Sequence, residues 1–196
     1  KQYPFKESTA TLYGTAFHEA AETYIRDGGE LDPRFSYAQK MLDALNAKKG
    51  EKLCEIKMGL TEDLEACSFF ARNVWFRGIA DLLILNSEDK LAWVIDYKTG
   101  KSARYADKGQ LELMAMATFK HYPEVETVRA GLLFVVSNDL IRERYAIEDE
   151  QKLWGKWLSK YDDMETAFQN DTWNPNPSGL CKAWCPVLEC PHNGKN

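Results

Sequence analysis

Two apolar runs, Val74 to Leu85 and Leu91 to Asp96, are separated by the polar stretch Asn86-Ser87-Glu88-Asp89-Lys90. Both runs suit strands and the break has turn composition, so the segment predicts a β-hairpin ending at Asp96. Strand side chains repeat every two residues, so Asp96 and Lys98 face one way and Tyr97 the other. Asp81 lies in the first strand among Ile79, Leu82, Leu83 and Ile84, where an unpaired carboxylate is costly. Two carboxylates and an ammonium are therefore expected to converge at one sheet edge.

The rest of the chain supplies further strands and flanking helices. Phe17, Ala20, Ala21, Tyr24 and Ile25 form one stripe of a helix running from Thr15 to Ile25 and ended by Gly28-Gly29. A second helix is expected between about Ser36 and Ala47. From Lys52 to Leu60 the period shifts toward two, predicting a strand before the hairpin. Ala106 to Lys120 reads as a largely apolar helix, Gly131 to Val136 as a buried central strand, and Arg142 to Ile147 as its edge neighbour. A last helix spans about Glu150 to Gln169, and the tail from Asn174 is rich in Pro, Asn and Gly. The order describes an α/β fold, a mixed central β-sheet flanked by helices.

At 196 residues, 44% apolar, the chain fits one domain over 1–196 with a cysteine-bearing tail over 174–196. The net charge of −5 argues against a general basic surface that coats nucleic acid, so any such contact must be local. No long apolar run or signal-peptide core is present, and membrane partners are not expected. Five cysteines, an odd count, do not read as a secreted disulfide framework, so a soluble protein of the reducing cytoplasm is expected.

Hard oxygen ligands placed as Asp81 and Asp96 are suit Mg²⁺ or Mn²⁺, which can polarise a phosphate and acidify a water, while Lys98 positions or deprotonates that water. That is a minimal kit for phosphodiester hydrolysis. The plainer alternative makes the aspartates strand-end turn residues and Lys98 a solvated lysine. The buried setting of Asp81 favours function, because a buried carboxylate calls for a partner.

The pieces GTAFHEAAE, RGIADLLI, VIDYKTG and GQLELMA, in that order, resemble the RecB-like branch of the PD-(D/E)XK nuclease superfamily, which includes CRISPR adaptation nucleases and phage exonucleases. The resemblance covers about residues 14 to 118 and implies a restriction-endonuclease-like core. It implies metal ligation by His18, Asp81, Asp96 and the backbone carbonyl of Tyr97, with Lys98 as the catalytic lysine. Glu55 resembles an extra acidic residue of some members, and Gln110 the Gln of a Gln-x-x-x-Tyr motif in which Met114 replaces the Tyr. The implied partner is DNA, single-stranded or double-stranded with ends, and the implied activity an exonuclease of repair, recombination or phage replication. A structure-specific or adaptation endonuclease and an inactive DNA- or protein-binding module are the alternatives.

Lys98, Lys101, Arg104 and Lys108 form a basic stretch, and Arg72 and Arg77 flank Asp81 in sequence, so both sets are candidates for holding phosphates. In the tail, Cys181, Cys185 and Cys190 precede His192 and resemble the C-terminal half of the [4Fe–4S] site of some RecB-like nucleases. The alternatives are a Cys₃His site for Zn²⁺, or reduced thiols packed against Trp184. Cys54 and Cys67 are expected in the core.

Overall fold

The computed structural model describes residues 7–104 and 106–194. The chain divides into two compact units, the larger comprising Thr9–Trp154 and the smaller Gly155–Asn196 with the N-terminal segment up to Ser8.

In the larger unit, a sheet of six strands has the order β2-β1-β3-β4-β5-β6, formed by β1 (Glu51–Leu60), β2 (Ala66–Cys67), β3 (Phe76–Asn86), β4 (Leu91–Lys98), β5 (Thr127–Phe134) and β6 (Asp139–Ala146). All neighbours are antiparallel except β4 and β5. That parallel pair is joined through helix α3 (Gly109–His121), since parallel strands require a crossover. The predicted α/β architecture, a mixed sheet flanked by helices, is the one observed.

Alternation along the strands sorts side chains into two cores. Leu82, Ile84, Ile95, Tyr97, Leu133 and Val135 join Phe17, Ala21 and Ile25 of α1 (Thr9–Asp27) and Leu42 and Leu45 of α2 (Gln39–Asn46) in one buried cluster. Alternate residues such as Leu83, Val94 and Leu132, also buried, face the other way, toward α3 with its buried Leu111, Ala115 and Phe119. This double covering explains why Leu82 to Leu85 read as a continuous apolar run rather than an alternation.

Several boundaries differ from expectation. Helix α1 begins at Thr9, six residues before the predicted start, because its first turns are mostly exposed and carry no apolar stripe. Helix α3 begins at Gly109 rather than Ala106, and β6 begins at Asp139. The buried run of β5 extends to Val135, whereas Val136 is exposed. The short β2 and a 3-10 turn at Pro33–Ala38, capped by Asp32 accepting from the Arg34 N–H at 2.9 Å, had no periodic signal.

Helix α4 (Glu150–Gln169) has its predicted span, and in the larger unit Trp154 is buried and donates to Glu150 at 3.1 Å. The smaller unit holds the rest of α4 and the one-turn α5 (Leu180–Ala183). There Asn193 donates to the carbonyls of Cys185 and Val187, and the Gly194 N–H to that of Cys181, so backbone and amide bonds close the tail. Among the described residues no helix is long and apolar enough to cross a membrane.

Candidate metal centre and active site

The site forms where a regular ladder breaks. Strands β3 and β4 pair from Asn86↔Leu91 to Leu82↔Ile95, and the next pair in that register would be Asp81 with Asp96. Pairing stops there, and the Tyr97 N–H instead donates to the Asp81 carboxylate at 2.6 Å. A side chain thus satisfies a backbone donor that the opened ladder would leave bare. On the other side of β3, pairing with β1 runs through Cys54↔Leu82 and Ile56↔Ala80 but omits Glu55 and Asp81. Glu55 adopts the left-handed region there (φ 50°), a conformation costly for a non-glycine residue and concentrated at functional positions.

Helix α1 adds the fourth group. Phe17 packs edge-on against Tyr97, with ring centroids 5.7 Å apart, which brings the next residue, His18, over the opening. His18 Nδ1 lies 3.3 Å from Asp81 Oδ1 and 3.9 Å from Glu55 Oε1. Potential ligand atoms of His18, Glu55 and Asp81 all fall within 4.8 Å of one another. Beside them is a hollow of about 400 Å³ that Glu19 and Glu22 also line. Glu22 is ion-paired with Arg26 at 2.5 Å.

Asp96 and Lys98 share the α3 side of β4, as alternation predicts, while the Tyr97 ring enters the α1 core. Lys98 Nζ sits 2.7 Å from Asp96 Oδ2 and donates to Gln110 Oε1 at 3.2 Å. Gln110 is itself held by the Asp107 carbonyl at 2.9 Å. Asp96 Oδ2 is buried and makes no hydrogen bond of good geometry, so its ammonium neighbour is its sole close compensation among the described residues. Of the expected ligands His18, Asp81, Asp96 and the Tyr97 carbonyl, the structure brings atoms of His18 and Asp81 together with Glu55, while Asp96 is turned to Lys98. The converging atoms come from α1, β1 and β3, and the Asp96 and Lys98 pair from the adjoining β4.

Electrostatics follow from crowding three carboxylates. Hydrogen bonding to Asp81 holds the His18 imidazole above its usual pKa against the effect of burial. Burial, then the charge of Asp81, raises the carboxyl of Asp96 against the pull of Lys98. Burial and Asp81 likewise raise Glu55. Excess negative charge, hard oxygens, one imidazole and a buried carboxylate oxygen without a hydrogen bond fit a divalent cation of the Mg²⁺ or Mn²⁺ type.

The other sequence candidates separate. Arg77 donates to the Phe69 carbonyl at 2.8 Å, and Lys108 pairs with Glu143 at 2.6 Å, so both are engaged within the fold. Arg72 lines a separate hollow with Glu62 and Asp63. Cys54 is half-buried and packs against the α1-side core, Cys67 is half-buried, and burial pushes the Cys54 thiol up to about 11. Cys181, Cys185 and Cys190 are half-buried, and Trp184 is too exposed to cover them. Sequence reasoning missed the Tyr97 amide as the group that fixes Asp81, since the signal lies in pairing between strands.

A sequence model of the PD-(D/E)XK nuclease superfamily matches residues 2–190. No curated protein matches the chain.

Proposed function

The chain belongs to the PD-(D/E)XK nuclease superfamily, and on that premise we propose that it is a metal-dependent deoxyribonuclease of the RecB-like branch, acting on DNA ends as an exonuclease. The observation that carries the nuclease reading is the opening between β3 and β4. There, a convergent His18, Glu55 and Asp81 adjoin the Asp96 and Lys98 pair. The preference for ends, and the setting in recombination, repair or phage replication, rest on the motif resemblance alone.

His18, Glu55 and Asp81 would hold the cation, with Asp96 and the Tyr97 carbonyl completing its surroundings. What Mg²⁺ or Mn²⁺ supplies when bound to such a set is polarisation of the scissile phosphate and readier deprotonation of the attacking water. The Lys98 ammonium, steadied by Asp96 and Gln110, orients that water and offsets charge growing on the phosphate oxygens. The water gives up one proton to solvent as its oxygen bonds to phosphorus, the bond from phosphorus to the leaving sugar oxygen breaks, and that oxygen takes up a proton from solvent, so one water is added across the phosphodiester. Asp81, fixed by the Tyr97 N–H, keeps the imidazole and carboxylates registered to the sheet, so the geometry exists before substrate arrives.

The test is degradation of end-labelled single- and double-stranded linear DNA and of covalently closed circles, with Mg²⁺, Mn²⁺ or chelator, by wild type and Lys98→Ala. Loss of linear substrates, sparing of circles, and a decrease of about 10²–10⁴-fold in the variant are expected. Cutting of circles would make the protein an endonuclease. Equal cutting by the variant would remove Lys98 from the mechanism, and inertness of wild type toward all DNA would leave a nuclease-like binding module.

A further inference from the structure

On the sheet face that carries α1 and α2, the registers of β4, β5 and β6 align side chains in three rows. The first is Trp93, Arg129 and Arg144, the second Ile95, Gly131 and Arg142, and the third Tyr97, Leu133 and Leu140. Gly131 has no side chain to fill the middle row, and a Cβ there would come within 3.1 Å of Leu140 and 3.5 Å of Ile95. The result is a trough of about 560 Å³ with an apolar floor. Lys48 stands on its α2 side, its ammonium 5.1 Å from the Trp93 ring centroid. The third row ends at Tyr97, whose ring is buried in the α1 core, while Asp96 and Lys98 face the other side of the sheet.

The trough is basic in an acidic protein. Arg129 and Arg144 are direct cross-strand partners, an arrangement that repels unless an anion lies between or beside them. Among the described residues no carboxylate pairs with Arg129, Arg142 or Arg144. Arg144 donates to the Thr127 hydroxyl at 3.2 Å. Glu143, between two of these arginines in sequence, also borders the trough, and its carboxylate is neutralised by Lys108 at 2.6 Å. Arg142 and Arg144 are two residues apart on one strand, a separation of about 7 Å. That spacing suits successive charges on an extended polyanion, and the floor beneath them suits flat apolar faces.

We propose that this trough binds single-stranded nucleic acid, with Arg129, Arg142, Arg144 and Lys48 on its phosphates and its bases against the floor. Single strands fit better than duplex because only unpaired bases offer their faces to an apolar floor. The proposal rests on the nuclease reading for its choice of nucleic acid over an acidic protein segment, which would meet the same charges.

The experiment is fluorescence anisotropy with a labelled 20-residue oligothymidylate in chelator, across a salt series, alongside metal-dependent cleavage by the same proteins. Arg129→Ala/Arg142→Ala/Arg144→Ala is expected to bind at least about tenfold more weakly and to lower the steepness of log affinity against log salt by about 2. Lys90→Ala, which removes a cation outside the trough, should keep wild-type affinity. Should the triple variant melt abnormally, Arg142→Glu against Arg142→Lys replaces it, with weakening expected only for the charge reversal. Wild-type affinity and salt slope in a folded triple variant would overturn the trough while leaving the nuclease reading intact if wild type cleaves DNA. Arginine-dependent binding by a protein that cleaves nothing would do the reverse. Displacement of the oligonucleotide by polyglutamate of equal charge at equal concentration would overturn the proposal in favour of an acidic protein partner.

Discussion

Between Leu82 and Asn86, β3 pairs residue by residue with Leu91 to Ile95 of β4, and Leu82 to Leu85 are buried between two helical layers. One position further, at Asp81 and Asp96, the same two strands stop pairing, and their side chains become carboxylates, an imidazole neighbour and an ammonium. The first stretch is dry and held by packing; the second is polar and repelling. Each depends on the other. The packed stretch fixes where the opening falls, and the opening concentrates negative charge that a cation can relieve. Changes in the first stretch should therefore alter stability, and changes in the second should alter chemistry.

The largest expected effect lies in the open stretch. Asp81→Asn keeps an acceptor for the Tyr97 N–H but removes the charge shared with His18 and Glu55. Cleavage should fall by about 10³-fold, and the rise in melting temperature that Mn²⁺ gives wild type should vanish, since only a native-state ligand site stabilises by mass action. A variant still stabilised by Mn²⁺ would place the metal away from Asp81. In the packed stretch, Leu83→Ala should cost about 2–5 kcal/mol in chemical denaturation while the folded fraction keeps its turnover. A turnover loss beyond the folded fraction would mean that the two stretches are not separable.

This contrast also sorts what the sequence could convey. Asp96 and Lys98 on one face and Tyr97 on the other were legible because alternation is a property of a single strand. The stripe of Phe17, Ala21 and Ile25 likewise announced α1, although its exposed first turns did not. The opening at Asp81 was not legible, since it is an interruption of pairing between strands, and neither was the left-handed Glu55 that accompanies it. The basic trough is the extreme case. Arg129 and Arg144 lie fifteen positions apart and become neighbours only through the β5 and β6 register. An overall charge of −5 gave no hint of them.

A smaller effect separates the stretches by pH. Hydrogen bonding and charge from Asp81, with charge from Glu55 and Asp96, raise the His18 pKa above 6.5 in the folded protein. The native state therefore holds that proton more tightly than the unfolded chain. The associated stability is fully present below pH 6.5 and is lost as pH rises through the folded value. In chelator, wild type should lose melting temperature from pH 6.5 upward relative to His18→Gln, whereas Leu83→Ala should run parallel to wild type. Parallel curves for all three would mean that His18 does not share its proton with the carboxylates.

The smallest effect concerns how firmly Lys98 is held. Gln110 accepts from Lys98 Nζ at 3.2 Å, a longer contact than the 2.7 Å to Asp96, and it is anchored in turn by Asp107. It positions the lysine without touching substrate in this arrangement, so Gln110→Ala should lower turnover by about fivefold, corresponding to one hydrogen bond of about 1 kcal/mol. KM should change little. Gln110→Glu, which keeps an acceptor in place, should recover part of the loss. Failure of the glutamate to rescue, or a rise in KM that accounts for the whole effect, would move Gln110 from holding Lys98 to contacting DNA directly.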